Sequence, residues 1–538
     1  MHRHVSGRSF RVSAAVAATG AALFLYLRNF LVHGTPFVAV GDQNQFFGRA
    51  VRILHGQVPY RDFFAFVTPG TEYLFAGGFR VFGVHAWVIS AWSVITGLAF
   101  CWILTYLARQ ILPAALKFLP ALLFVVFVYN GSPDLTHHWF STLAALCAAA
   151  VLMPGVTLPR VAAAGMLCAA ATLFTQTEGV AAFVAIAVFL LWLARWDTAK
   201  VRAPSSFVLP PMTLFLSFAG VLAVVLGLLA RAAGLRSLFF DLVLFAPRYL
   251  SSMEINSTGN YLRQFPRLHN PSDLLHFVPV LFVYALVPYA YALGFLRIVR
   301  QRTALPRTLV RKLVLLHCVG IGLFLSVVNS PRLFRLTTVA APAVLICIWL
   351  LSGPDRIAAN LRRMLAAAAL AFVLILPLRR QSQRHVVLAL PVGRAAFTDP
   401  LSAREFGWLA ARTHAGESFF NSSALALYLA QRNPTALEFI NGREFTRPEW
   451  VGDALAAIER DPPHFVVLQP LDPALPRSGD HTGPIRAFVE QNYRRAAVFQ
   501  LNEVVAYREE IWEHDLSSPH RLIGIAGELN EPADPSPH

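Results

Sequence analysis

The sequence predicts a polytopic α-helical membrane protein of about 11 transmembrane helices, with its N-terminus inside and its C-terminus outside, carrying a small extracytoplasmic α/β C-terminal domain. Three observations predict it. Of 538 residues, 56% are hydrophobic and 14% are charged, whereas soluble domains run near about a quarter charged. Apolar runs of membrane-crossing character recur from Val12 to Leu378. Basic residues gather in alternate connections between those runs, as cytoplasmic loops require.

The first element is the run Val12–Val32, preceded by the basic stretch MHRHVSGRSFR. It is long and lacks a small-x-small cleavage site, so it reads as an uncleaved first helix rather than a signal peptide. Further apolar runs follow at Val84–Leu107, Leu112–Tyr129, His138–Met153, Val161–Phe174, Val180–Arg195 and Phe207–Ala230. They resume at His276–Leu296, Leu313–Val328, Phe334–Leu351 and Met364–Leu378. The inner connections hold Arg109 and Lys117, then Arg160, then Arg195, Lys200 and Arg202, then the cluster from Arg297 to Lys312, and last Arg356, Arg362 and Arg363. The short outer turns NGSPDLTH and TQTEG hold no Lys or Arg. This charge pattern puts the loops at 33–83 and 231–275, and everything after Arg379, on the outer side.

A membrane unit is therefore expected over 1–379, an outer α/β domain over 380–515 and a disordered tail over 516–538. In the outer domain SAREFGWLAART reads as an amphipathic helix and ESFFNSSALALYLA as a short strand running into a helix; HFVVL and EVVAYRE read as strands. The net charge of +16 is accounted for by the inner loops, and no basic–aromatic platform suits a nucleic acid. All five cysteines lie inside apolar runs with no CxxC or Cys/His spacing, so neither disulfide framework nor zinc site is expected.

The most informative stretch is the first outer loop, Val40–Phe82. Asp42 precedes QNQFFGRAVRILHG, in which Phe46, Phe47, Ala50, Val51 and Leu54 share one helical face and Arg49, Arg52 and His55 the other. Such a helix is expected to lie in the interface plane. Asp-x-x-Gln is a capping-box spacing and Gly56 a plausible stop, so Asp42 reads either as a helix cap or as a working acid. In PYRDFF, Asp62 either pairs with Arg61 or meets substrate. In TPGTEY, Pro69 starts a second short helix, and Glu72 reads as an exposed helix-start charge.

The order acid, short amphipathic helix, G-x-x-P-Y-R-D-F, T-P-G-x-x-Y-L and F-G after the first membrane helix resembles the GT-C class of membrane glycosyltransferases. The likeness is to bacterial members of the protein O-mannosyltransferase and aminoarabinose-transferase branch. LFTQTEGV, Leu173–Val180, is similar to that class's outer turn in which Lys or Gln precedes a Gly, which selects Gln176. NSPRLFRLTTVAAPAVLI, Asn329–Ile346, is similar to its Arg-containing late helix. The chain departs from the pattern where Gln43 follows Asp42 in place of a second acid.

The resemblance implies transfer of a sugar from a polyprenyl-phosphate donor to a protein, lipid or glycan acceptor on the outer face of the bacterial cytoplasmic membrane, with Asp42 as the catalytic acid. Such chemistry needs a base for the acceptor proton and cations for the leaving phosphate. A partly desolvated Asp42 suits the base role. Arg332 and Arg335 suit phosphate, or else snorkel as interfacial anchors. His137 and His138 read as contacts for acceptor or headgroup, or as a polar helix start, and Glu178 as cleft lining or a helix cap. Candidate substrate-binding residues are thus Arg61, Asp62, His137, His138, Gln176, Glu178, Arg332 and Arg335. No metal ligand set is recognisable, and dependence on a divalent cation stays open. The rival readings are a transporter or flippase and a polymerase or ligase for lipid-linked sugars. A transporter would carry acids near the midplane of broken helices; here the acids cluster in outer loops and turns.

Overall fold

The computed structural model describes residues 7–38, 41–131, 134–196, 205–250, 256–263, 273–440, 446–468, 481–502 and 507–514. The expected tail lies outside them. The apolar runs become helices: α1 (Gly7–Asn29), α4 (Ala86–Ile111), α5 (Ala114–Gly131), α6 (His137–Leu152), α7 (Leu158–Phe174), α8 (Gln176–Trp196) and α9 (Ser205–Ala233). Two short helices, α2 (Gln43–Leu54) and α3 (Gly70–Phe82), fill the loop at 33–83, expected to be outer, and α10 (Leu235–Phe239) opens the one at 231–275. Then come α11 (Leu274–Arg300), α12 (Arg307–Val327), the pair α13 (Leu333–Val339) and α14 (Ala341–Leu350), and α15 (Arg356–Ser382).

Among the described residues, eight helices are long and apolar enough to cross a membrane, nine if the bent pair α13–α14 is one span. The helices α6 and α7 are apolar but only 16 and 17 residues long, below the ~20 of a straight span. Only with these two does the count reach the expected eleven. The run Phe334–Leu351, read as one helix, turns by 67° between α13 and α14. Pro342 stands in the first turn of α14, where its missing N–H could not have continued the ladder of α13.

The spans pack around an apolar core. Trp139 and Phe124 are fully buried and set edge-to-face, with ring centres 6.1 Å apart. The outward sides of α9 and α15 carry exposed Val, Leu, Met and Ile side chains, as lipid-facing surfaces do. The protein is integral to a membrane.

After α15 the backbone turns to mixed structure. A hairpin, β1 (Val386–Leu390) and β2 (Gly393–Phe397), precedes α16 (Pro400–Ala410), capped by the Asp399 side chain on the amides of Leu401 and Ser402. A four-stranded sheet follows in the order β3 (Phe419–Phe420), β4 (Phe465–Leu468), β6 (Tyr507–His514), β5 (Tyr493–Asn502). Strands β3 and β4 run parallel and the other neighbours antiparallel. The helices α17 (Ser423–Tyr428), α18 (Pro448–Arg460) and α19 (Gly483–Asn492) complete the region. It is tied to the loop at 33–83: Val38 N–H donates to Ala396 O at 2.9 Å, Phe64 N–H to Ala436 O at 2.9 Å, and Arg52 pairs with Glu438 at 3.2 Å.

Candidate active site

The loop is held in place from below by the end of α7. Thr68 donates its hydroxyl to Thr172 O at 2.7 Å, and Gln176 donates its side-chain amide to Phe66 O at 3.0 Å. A Cβ on Gly70 would overlap the Leu173 carbonyl, and one on Gly179 the Thr172 backbone nitrogen. Gly70 thus lets the first loop, and Gly179 the start of α8, approach the end of α7 closely. Gln176, selected as a substrate contact, spends its side chain on this anchoring.

Two of the three basic side chains of helix α2 are engaged by other parts of the protein. Arg49 is buried, facing Glu72 at 3.5 Å, and Arg52 reaches Glu438 as well as the carbonyls of Asp62 and Thr435. Arg49 and Arg52 are thus covered by α3 and the C-terminal region, while His55 stays exposed. Glu72, expected as an exposed charge, has no accessible surface, and burial pushes its carboxyl up to about 7 against the pull of Arg49.

Asp42 stands at the start of α2 in helical backbone and makes no side-chain cap bond. The cap comes from elsewhere. The carboxylate of Asp134 accepts from the amides of Asp42 (2.9 Å) and Gln43 (2.8 Å), and Gln43 returns its side-chain oxygen to the Leu135 amide at 2.9 Å. Asp42 is left free for other work. Its side chain is open to solvent at one side, yet the protein crowding it raises its pKa by desolvation, while Arg332, then Arg335, then Arg49 draw it back down. Burial, followed by the charge of Asp42, pushes Asp134 up to about 6, against the two amides it accepts from. We expect Asp134→Ala to cost about 1–2 kcal/mol as a lost cap and to speed hydrogen exchange at the Asp42 and Gln43 amides. Unchanged exchange at those two amides would refute the capping role.

Around these carboxylates the structure gathers most of the remaining candidates. The His137 ring lies 5.2 Å from Phe46 and its Nδ1 bonds the Thr175 hydroxyl at 2.7 Å. His138 Nδ1 bonds Glu178 at 2.6 Å, with Phe334 of α13 at 5.8 Å between ring centres. Neither histidine is only a polar helix start. No group of three or more His, Cys, Asp or Glu side chains among the described residues forms a metal cluster. Arg61 and Asp62 pair with each other at 2.8 Å, and Asp62 also accepts from the Val58 amide, so they shape the P-Y-R-D turn. Asp134 and Gln43 line a cavity of about 440 Å³ that also includes Arg28, Arg379 and Arg380. A second cavity of about 360 Å³ shares Asn130, Leu376 and Arg379 with it and runs along Val280, Val283 and Leu333.

The fold is that of the GT-C membrane glycosyltransferases. Two solved structures of ArnT from Cupriavidus metallidurans carry this likeness. That with undecaprenyl phosphate bound has a TM-score of 0.56 and 13% identity, over 95% of this chain and 99% of that one. The apo structure has a TM-score of 0.50 and 12% identity, over 94% and 98%. No family model and no curated protein matches the sequence. The expected resemblance thus holds at the level of the fold.

Sequence reasoning gave Asp134 no role. An acid beside two histidines in an outer turn was its only signal. The Arg49–Glu72 pair was likewise missed, because each residue alone reads as an exposed helix charge.

Proposed function

We propose that the protein is a glycosyltransferase that moves a sugar from a polyprenyl-phosphate donor to a protein, lipid or glycan acceptor, on the extracytoplasmic face of a bacterial cytoplasmic membrane. The observation that carries the reading is a carboxylate, Asp42, freed from capping by Asp134 and faced by Arg332, Arg335 and Arg49. Asp42 takes the proton of the acceptor hydroxyl. The acceptor oxygen bonds to the anomeric carbon, the bond from that carbon to the phosphate oxygen breaks, and polyprenyl phosphate leaves with the electron pair. Arg332 and Arg335 stabilise that leaving phosphate, since a guanidinium fork matches its oxygens. The hydrogen-bonded pairs His138–Glu178 and His137–Thr175 border the sugar. The carrier's apolar chain occupies the cavity along Val280 and Leu333, entered beside Asp134. In this reading residues 1–379 are the catalytic membrane unit and 380–515 the outer domain that covers its loop.

That the fold is shared with a protein crystallised with undecaprenyl phosphate supports the choice of donor. The test is sugar release by purified protein in lipid from a panel of short-chain polyprenyl-phosphate hexoses and pentoses. Turnover of one donor, dependent on added acceptor, is expected. Passage of an intact lipid-linked sugar across sealed vesicles without bond cleavage would replace the transferase reading by a transporter.

A further inference from the structure

A cavity of about 950 Å³ lies between the P-Y-R-D turn, the second outer loop and helix α18. It is separate in its lining from the cavities beside Asp134. Five arginines line it against two aspartates, Asp241 and Asp453. Its floor is aromatic: Phe64 lies 4.4 Å from Trp450, centre to centre, and Arg447 stacks over Phe240 at 4.8 Å and Trp450 at 5.1 Å. Arg447 is further fixed by Glu449 at 2.6 Å. Arg236 and Arg248, by contrast, point from the second loop as exposed side chains with no ion pair among the described residues.

Rings and guanidinium groups at one site define a ligand with two kinds of surface. A sugar's C–H face packs on aromatic rings, and Arg forks bind phosphate or carboxylate oxygens. A neutral glycan would leave the arginines without use; a bare anion would leave the rings without use. An apolar lipid chain fits neither.

We infer that this cavity binds an anionic saccharide, phosphorylated or carboxylated, through Arg236, Arg248, Arg447 and Trp450. Resting on the transferase reading, that saccharide is the recognised portion of the acceptor.

The test needs neither donor nor turnover, so it fails or succeeds apart from the transferase reading. Purified full-length protein in lipid is titrated with glucose 1-phosphate, glucuronate, glucose and inorganic phosphate, following tryptophan fluorescence. The two anionic sugars are expected to bind at least about tenfold more tightly than glucose or phosphate. The signal is expected to vanish in Trp450→Phe. Arg236→Ala/Arg248→Ala, two exposed changes, should weaken glucose 1-phosphate about tenfold or more at unchanged melting temperature. Equal binding of phosphate and glucose 1-phosphate would reduce the cavity to a general anion site and overturn the inference. So would equal binding of glucose, or no saturable binding in the wild type. The wild-type ligand series decides the matter even where the double variant fails to fold.

Discussion

Asp42→Asn lowers sugar transfer by at least ~100-fold, the lower end of what a positioned general base contributes, and leaves the melting temperature at the wild-type value. The two halves of that expectation have different physical sources. The amide is isosteric with the carboxylate but cannot take a proton, so the chemical step loses its base. Stability holds because the Asp42 side chain makes no cap bond; the first amides of α2 are satisfied by Asp134. A helix-cap residue would behave in the opposite way, losing stability with activity intact, and that outcome would remove Asp42 from the mechanism. The wild-type pH profile carries a second signature. Desolvation holds the Asp42 pKa above the ordinary aspartate value, so turnover should fall as pH drops through that raised value.

Glu72→Ala destabilises the fold by about 3–5 kcal/mol, the usual cost of removing one member of a buried ion pair. Glu72 is 0% exposed and Arg49 4%, and Glu72 is the one ion-pair partner within 4.0 Å that Arg49 has among the described residues. Without it the guanidinium stays charged in a desolvated place. Replacing both, as Arg49→Met/Glu72→Leu, should recover most of the loss, because the double change removes the stranded charge. Thermal unfolding of the three variants beside wild type makes the check, and a Glu72→Ala protein as stable as wild type would show the pair to be idle. The pH dependence follows from the same burial. The Glu72 carboxyl titrates near 7 when folded against an ordinary 4.5. Ionising the buried carboxyl therefore costs folding free energy even with Arg49 beside it: stability is highest below about 4.5, where Glu72 is neutral in both states, and falls as pH rises through 7. Glu72→Gln abolishes that slope.

What the sequence made legible was governed by solvent and by local spacing. Each apolar run became a helix because lipid leaves the backbone no other partner. The short helix expected to start at Pro69 forms as α3, Gly70–Phe82. Three features were out of reach. The Asp134–Asp42 contact joins residues 92 apart, and no periodicity links them. Glu72 sits where a helix-start charge is ordinarily solvated; only the folding of α2 over α3 buries it. The bend between α13 and α14 had one local sign, Pro342, which is equally at home inside a continuous membrane helix.

The seam between the loop at 33–83 and the C-terminal region has a bearing on how this protein can be divided or rebuilt. Backbone hydrogen bonds at Val38–Ala396 and Phe64–Ala436, with Arg52–Glu438 between side chains, stitch the loop to distant sequence at several points. The region after Ser382 is accordingly no detachable cassette. A chimera that exchanges it for a foreign sequence inherits a loop whose inner face was shaped for another cover, with Arg52 deprived of Glu438 and the Thr435 carbonyl and with backbone groups unmet. Recombination, natural or engineered, must therefore exchange residues 33–83 and the C-terminal region together to keep the loop in register.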